Sequence, residues 1–235
     1  MYKQTIGIIG GFGAYATLDF YERFLNKFKS ECERNYPHIY MDNNYTMPSR
    51  TRALLYGDDY DTVVEEICTS VENMKNMGVD YIIMVCGTAH AFLPEIYKKI
   101  PWAKDKIFDI INCLKRKLNN ERVKDIVILA AEGTLKKNIY PNYLKDINCI
   151  VPEEKDYEKI RLFIESVKQN KISRQIAREW NQFIDKFNCS NVLLGCTEFP
   201  VLVNYINQVE NGDGCKINYY DPLEAALDEL KKNIK

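Results

Sequence analysis

The chain has 235 residues, enough at roughly 100 to 200 per domain for one large or two small domains with a buried core. Lys plus Arg number 32 against 33 Asp plus Glu, a net charge of -1, so no basic field points to nucleic acid or an anionic membrane surface. The longest apolar runs, Tyr81 to Cys86 and Ile126 to Ala131, are six residues each, far short of the ~20 that cross a bilayer. A strand-like Ile6-Gly7-Ile8-Ile9 follows Met1 with no charged leader or cleavage site between, and cytoplasmic residence is expected.

Short apolar runs alternate with longer amphipathic stretches, the pattern of β-α units around a parallel sheet, and the predicted class is α/β. In chain order the predicted strands are Thr5 to Ile9, Ile39 to Asn43, Tyr81 to Val85, Ile107 to Ile110, Ile126 to Ala130, Asn148 to Val151, Val192 to Leu194 and Ile217 to Tyr219. The spacing predicts helices over Thr17 to Phe28, with the stripe Leu18, Tyr21, Leu25, Phe28, and over Asp61 to Met77, with Val64, Ile67, Val71, Met74. Further helices are expected over Glu154 to Gln169, Ile172 to Phe187 and Leu223 to Ile234, the last opened by Pro222.

Eight cysteines in a leaderless chain read as reduced thiols, and with two scattered histidines, His38 and His90, and no Cys-x-x-Cys, no structural metal is expected. Cys32, Cys68, Cys113, Cys149, Cys189 and Cys215 read as small buried hydrophobes. Cys86 and Cys196 differ, because each ends a short apolar run and has a threonine within two residues. They superpose as a weak internal repeat 110 residues apart, Ile82 to Thr88 on Asn191 to Thr197, which suggests two similar lobes each giving one thiol.

Ligands of open α/β sheets sit beyond the carboxyl ends of strands, where both cysteines fall. Helix amides after each cysteine are expected to lower its thiol pKa and, with the Thr88 and Thr197 hydroxyls, to hold a substrate carboxylate as it takes up charge. Two thiols on opposite faces of one carbon can invert it, one taking a proton while the other gives one.

The segments Ile6 to Thr17, Pro48-Ser49-Arg50-Thr51, Cys86-Gly87-Thr88-Ala89-His90, Gly133-Thr134 and Gly195-Cys196-Thr197-Glu198-Phe199-Pro200 resemble the aspartate racemase family of the Asp/Glu/hydantoin racemase superfamily. The resemblance implies a cofactor-independent amino-acid racemase, with no pyridoxal phosphate or metal. It also implies two pseudo-symmetric α/β lobes with the site in the cleft between them, and a homodimer. It makes Cys86 and Cys196 the catalytic bases and sets Arg50 and Lys168 on the substrate's acidic side chain, as carboxylate recognition requires. The expected substrate-contacting set is Phe12, Arg50, Gly87, Thr88, Ala89, Lys168, Thr197 and Glu198. The first lobe is expected to comprise residues 1–104 together with 215–235, and the second 105–214.

Several positions depart from the family pattern. Gly87 stands for the usual asparagine, Phe12 and Ala14 for methionine and proline, and Ser49 for aspartate. Glutamate racemases carry histidine where this chain has Glu198, so the resemblance is nearer the aspartate type. Glutamate stays open as substrate, since one methylene is worth only about 1 to 3 kcal/mol of discrimination. His90 is expected to make a structural hydrogen bond. Three other readings stand beside this one: a dinucleotide loop at Gly11-Phe12-Gly13-Ala14-Tyr15-Ala16, a single-cysteine enzyme, and a non-catalytic amino-acid-binding protein.

Overall fold

In a computed structural model, which describes residues 2–209 and 217–234, the chain begins with β1 (Thr5–Gly10). Its side chains alternate between faces with period two. Ile6 and Ile8 join the larger hydrophobic core, while Ile9 joins a second core on the opposite face. Helix α1 (Ala14–Lys27) follows, then β2 (His38–Asn43), α2 (Arg50–Tyr56) and α3 (Tyr60–Asn76). After β3 (Tyr81–Met84), a 3-10 turn over Thr88–Phe92 runs into α4 (Leu93–Lys99) and then α5 (Ile110–Asn120). β4 (Asp125–Leu129) leads to two single-turn helices, α6 (Glu132–Lys136) and α7 (Ile139–Tyr143), and to β5 (Asn148–Ile150). α8 (Tyr157–Lys168), α9 (Arg174–Asp185), β6 (Asn191–Leu194), α10 (Glu198–Val209), β7 (Asn218–Tyr220) and α11 (Pro222–Asn233) complete the chain.

The strands form two sheets, ordered β2-β1-β3 and β5-β4-β6-β7, parallel throughout. This is the α/β fold expected. Among the described residues no helix is long and apolar enough to cross a membrane.

Four expectations need correction. Residues Ile107 to Ile110 do not form a strand: Ile107 makes a single bridge to Ile82, and Asp109 then caps α5, accepting from the Ile111 and Asn112 amides at 3.0 and 3.1 Å. A carboxylate that satisfies free helix amides ends the extended run. The buried stripe of α1 is Thr17, Phe20, Phe24 and Phe28, whereas Leu18 is 62% exposed. Cys32 is exposed, Cys68 and Cys113 are buried, Cys149 and Cys189 are half-buried, and Cys215 lies outside the described residues.

The fourth correction concerns the C-terminal segment, whose residues 215 and 216 also lie outside the described residues. β7 pairs in parallel with β6, in register Asn191 with Asn218, so this strand extends the second sheet, while α11 after it is ion-paired to α1 of the first half. The edge of β6 offers unpaired main-chain groups, and β7 pairs with them. The larger core also takes Ile6, Ile8, Ile83 and Val85 from the first half together with the second sheet, so the two halves share one apolar interior.

Charges tie the halves together as well. Arg23 of α1 donates to Asp19 at 2.8 Å and to Asp221, the cap of α11, at 2.6 Å, while Lys27 binds Asp228 at 2.6 Å and Glu224. Arg23 is largely shielded from water, and removing one member of such a pair leaves the other charge buried and uncompensated. Arg23→Met is therefore expected to destabilise the fold by about 3 kcal/mol, read as a lower midpoint in urea unfolding with an unchanged slope.

Candidate active site

A cavity of about 430 Å³ opens beyond the carboxyl ends of β1, β3, β4 and β6. Each of these strands delivers part of its wall. The loop after β1 supplies Gly11, Phe12 and Gly13, that after β3 Cys86, Gly87 and Thr88, that after β4 Ala131, and that after β6 Cys196, Thr197 and Glu198. Arg50 and Thr51 enter at the start of α2, and Ile164 and Lys168 from α8. The two cysteines singled out by the repeat thus face one space from the two sheets.

Cys86 is buried, and its carbonyl accepts from His90 Nδ1 at 2.8 Å. The other ring nitrogen faces the Phe108 carbonyl at 3.4 Å, and burial lowers the imidazole pKa, so His90 is neutral and braces the turn after Cys86. Cys196 keeps partial exposure. Its thiol donates to Glu198 Oε2 at 2.9 Å. Burial, reinforced by the Glu198 carboxylate and the second thiol, pushes the Cys196 thiol well up; Lys168 opposes this only in part. The helix amides after Cys196 were expected to lower it. They are outweighed by burial of the thiol, to which the buried Glu198 carboxylate in the first turn of α10 adds.

Arg50 spreads over Phe12, its guanidinium carbon 5.0 Å from the ring centroid. Nη2 donates to the Phe12 carbonyl at 2.8 Å and Nη1 to the Pro48 carbonyl at 3.0 Å. Among the described residues Arg50 Nε is buried with no partner. Orphan donors of this kind are rare, and here the donor belongs to a cation on the cavity wall. Ser49 caps the same helix, accepting from the Arg52 amide at 3.3 Å, which fixes where Arg50 leaves the backbone. Lys168 Nζ donates to Glu165 Oε1 at 3.3 Å; burial pulls its pKa down, but Glu198, Cys196 and Glu165 together raise it, so it stays a cation.

Of the residues expected around the substrate, Phe12, Arg50, Gly87, Thr88, Lys168, Thr197 and Glu198 line the cavity. Ala89 does not: it is fully buried in the second core, because the turn after Cys86 points it away from the opening. The glycines between residues 10 and 14 are explained by close approach within the chain. Gly11 has φ +84, and an added Cβ would stand 2.5 Å from the Asn44 backbone, while one at Gly13 would meet Glu198 Oε1.

Two further groups lie behind the wall, Thr134 from the Gly133-Thr134 segment and Tyr140, which has no simple sequence signal. Thr134 Oγ1 meets Thr88 Oγ1 at 2.9 Å, joining the β4 and β3 loops. Tyr140 of α7 is fully buried and donates to the Gly195 carbonyl at 3.2 Å. Its position 55 residues ahead of Gly195, in an unremarkable Asn-Ile-Tyr-Pro run, gave no reason to single it out among 16 tyrosines.

Comparison with known proteins bears on the whole chain. Residues 9–230 match the family described as Asp/Glu/Hydantoin racemase. The glutamate racemase of Aquifex aeolicus (strain VF5) is 25% identical over 211 residues, spanning 87% of this chain and 76% of that protein. The broad specificity amino-acid racemase RacX of Bacillus subtilis (strain 168) is 21% identical over 211 residues, spanning 86% and 88%. Among solved structures, Picrophilus torridus aspartate racemase shares the fold with a TM-score of 0.80 at 24% identity, over 98% of this chain and 94% of that one. With the match running from β1 into α11, the chain belongs to the Asp/Glu/hydantoin racemase family and is an isomerase of the racemase kind.

Proposed function

We propose that the protein interconverts the L and D forms of aspartate or glutamate by a two-base proton transfer between Cys86 and Cys196. The observation that carries this reading is that both thiols line one cavity together with two cations, Arg50 and Lys168. One thiolate removes the α-proton and becomes a thiol, and the C–H electron pair moves into the adjoining carboxylate. The opposite thiol then gives its proton to the other face of the carbon and becomes the thiolate. The Thr88 and Thr197 hydroxyls and the amides around them stand where the growing charge needs donors. Arg50 and Lys168, both on the cavity wall, take the side-chain carboxylate. The chemistry is proton transfer alone and calls for no cofactor. Within this proposal the chain works as a cytoplasmic homodimer, with its two lobes meeting at the cleft.

Glu198 makes the two bases unequal. Together with burial it holds the proton on Cys196, so Cys196 is proposed to start as the acid, which leaves the role of base to Cys86. The same feature favours one competing reading, an enzyme with Cys86 as sole nucleophile. Proton NMR in deuterated buffer, with each enantiomer of aspartate and glutamate and no added cofactor, tests the proposal by loss of the α-proton signal. Wild-type protein is expected to exchange the α-proton. Cys86→Ala and Cys196→Ala are each expected to lose inversion by about 10²-fold to 10⁴-fold. Retention of full turnover by Cys196→Ala would establish the single-nucleophile reading instead.

The acid role of Cys196 has its own test. Its raised pKa means that thiolate forms only above the ordinary thiol range, so iodoacetamide should label Cys196 slowly at pH 8 and faster well above pH 9. Glu198→Gln removes the negative charge beside the thiol and so lowers the Cys196 pKa. Labelling at pH 8 is then expected to quicken, and the alkaline limb of the exchange profile to move to lower pH. An unchanged limb would mean that Glu198 does not hold the proton.

A further inference from the structure

One buried hydroxyl touches both cysteine loops. Tyr140 Oη donates to the carbonyl of Gly195, the residue before Cys196, at 3.2 Å. The same oxygen lies 2.7 Å from where a Cβ would stand on Gly87, the residue after Cys86. That Cβ would also stand 2.6 Å from the Gly195 oxygen. At Gly195 an added Cβ would meet the Tyr140 ring at 2.6 Å and the Leu129 carbonyl at 2.9 Å. The two loops therefore approach backbone to backbone, with the phenol wedged against both.

We infer that Tyr140 is a positioning residue of the proposed racemase reaction, setting the separation of Cys86 and Cys196 by clamping the Gly195 carbonyl against Gly87. Tyr140 reaches neither the cavity nor the substrate, and its effect passes through the backbone of the two loops. Burial, with Asp221 and both thiols adding, pushes its pKa well up, so the phenol keeps its proton and donates at every pH where the thiols work. The constraint it meets is steep. Two groups must attack and protonate one carbon from opposite faces, and misplacement by about 1 Å costs on the order of 10²-fold in rate.

The inference rests on the racemase reading, and the test separates the two. Tyr140→Phe keeps the ring and removes only the oxygen. It is expected to keep a cooperative unfolding transition and a KM within about twofold, while kcat for α-proton exchange falls on the order of tenfold. Gly87→Ala alone is expected to lower the free energy of unfolding more than it does in the Tyr140→Phe background, because one of the two obstructing oxygens is then gone; a double-mutant cycle in unfolding free energy reads this coupling. Iodoacetamide labelling of Cys196, located by peptide mass spectrometry, gives a readout that needs no turnover, and Tyr140→Phe should speed it as the Gly195 carbonyl is released. If wild type exchanges no α-proton, the racemase reading fails while the labelling and the coupling still decide the clamp. Unchanged labelling, an additive cycle, or a kcat within twofold of wild type would each overturn it.

Discussion

Inversion of a carbon by two bases demands that they be held apart by one carbon's width and no more. In the proposed reaction that spacing depends on the meeting of two loops that belong to different sheets. The loop after β3 has no side chain at Gly87, and the loop after β6 has none at Gly195, so their backbones come into contact. Any side chain at either point forces them apart. The sheets beneath are correspondingly rigid: Val85 donates to the Ile9 carbonyl and Gly195 to the Leu129 carbonyl, so each cysteine loop leaves directly from a paired strand. Because Ile6, Ile8, Ile83 and Val85 share an interior with the second sheet, the packing that stabilises the fold also fixes the spacing of the thiols.

Charge is arranged around this contact with similar economy. Burying Glu198 next to a thiol costs desolvation, and the cost is offset by the Cys196 proton and by the field of Lys168. Arg50 shows the complementary arrangement. Two of its nitrogens are bound to the Phe12 and Pro48 carbonyls, which hold the side chain in one rotamer over the Phe12 ring. A cation preorganised in this way loses little entropy on binding an anion. Phe12 thus belongs to the site in two ways, as the surface on which Arg50 rests and as a backbone acceptor.

Much of this was legible in the sequence because it follows from local rules. The period-two strands and the runs ending in Cys86 and Cys196 carry their own signal, and so does the stripe Val64, Ile67, Val71, Met74, every member of which is buried. What the sequence does not show is which of several competing groups a side chain meets in space. Ile107 to Ile110 has strand composition, yet Asp109 caps a helix once the Ile111 and Asn112 amides stand free. Leu18 looks like core until Phe20 and Phe24 turn the opposite face inward. Helix amides follow Cys196 directly in the chain, but the sequence does not tell that Glu198 bends back onto the thiol. Neither does it tell that Tyr140, far away in the chain, ends at the Gly195 carbonyl.

The inequality of the two thiols has a kinetic consequence in the proposed reaction. Racemisation has an equilibrium constant of one, so the second-order rates from the two enantiomers are equal however unlike the bases are. Asymmetry must then appear in KM and kcat separately. The enantiomer whose α-proton faces Cys86 meets the resting form, in which Glu198 keeps Cys196 protonated. Its mirror image needs the opposite form, in which Cys196 has surrendered its proton against the Glu198 charge. That form is scarce, and apparent affinity falls in proportion to the population of the competent state. The second enantiomer should therefore show both the higher KM and the higher kcat. Replacing the Glu198 carboxylate with a neutral amide should bring the two pairs of constants closer, because that charge adds to the effect of burial in keeping the proton on Cys196.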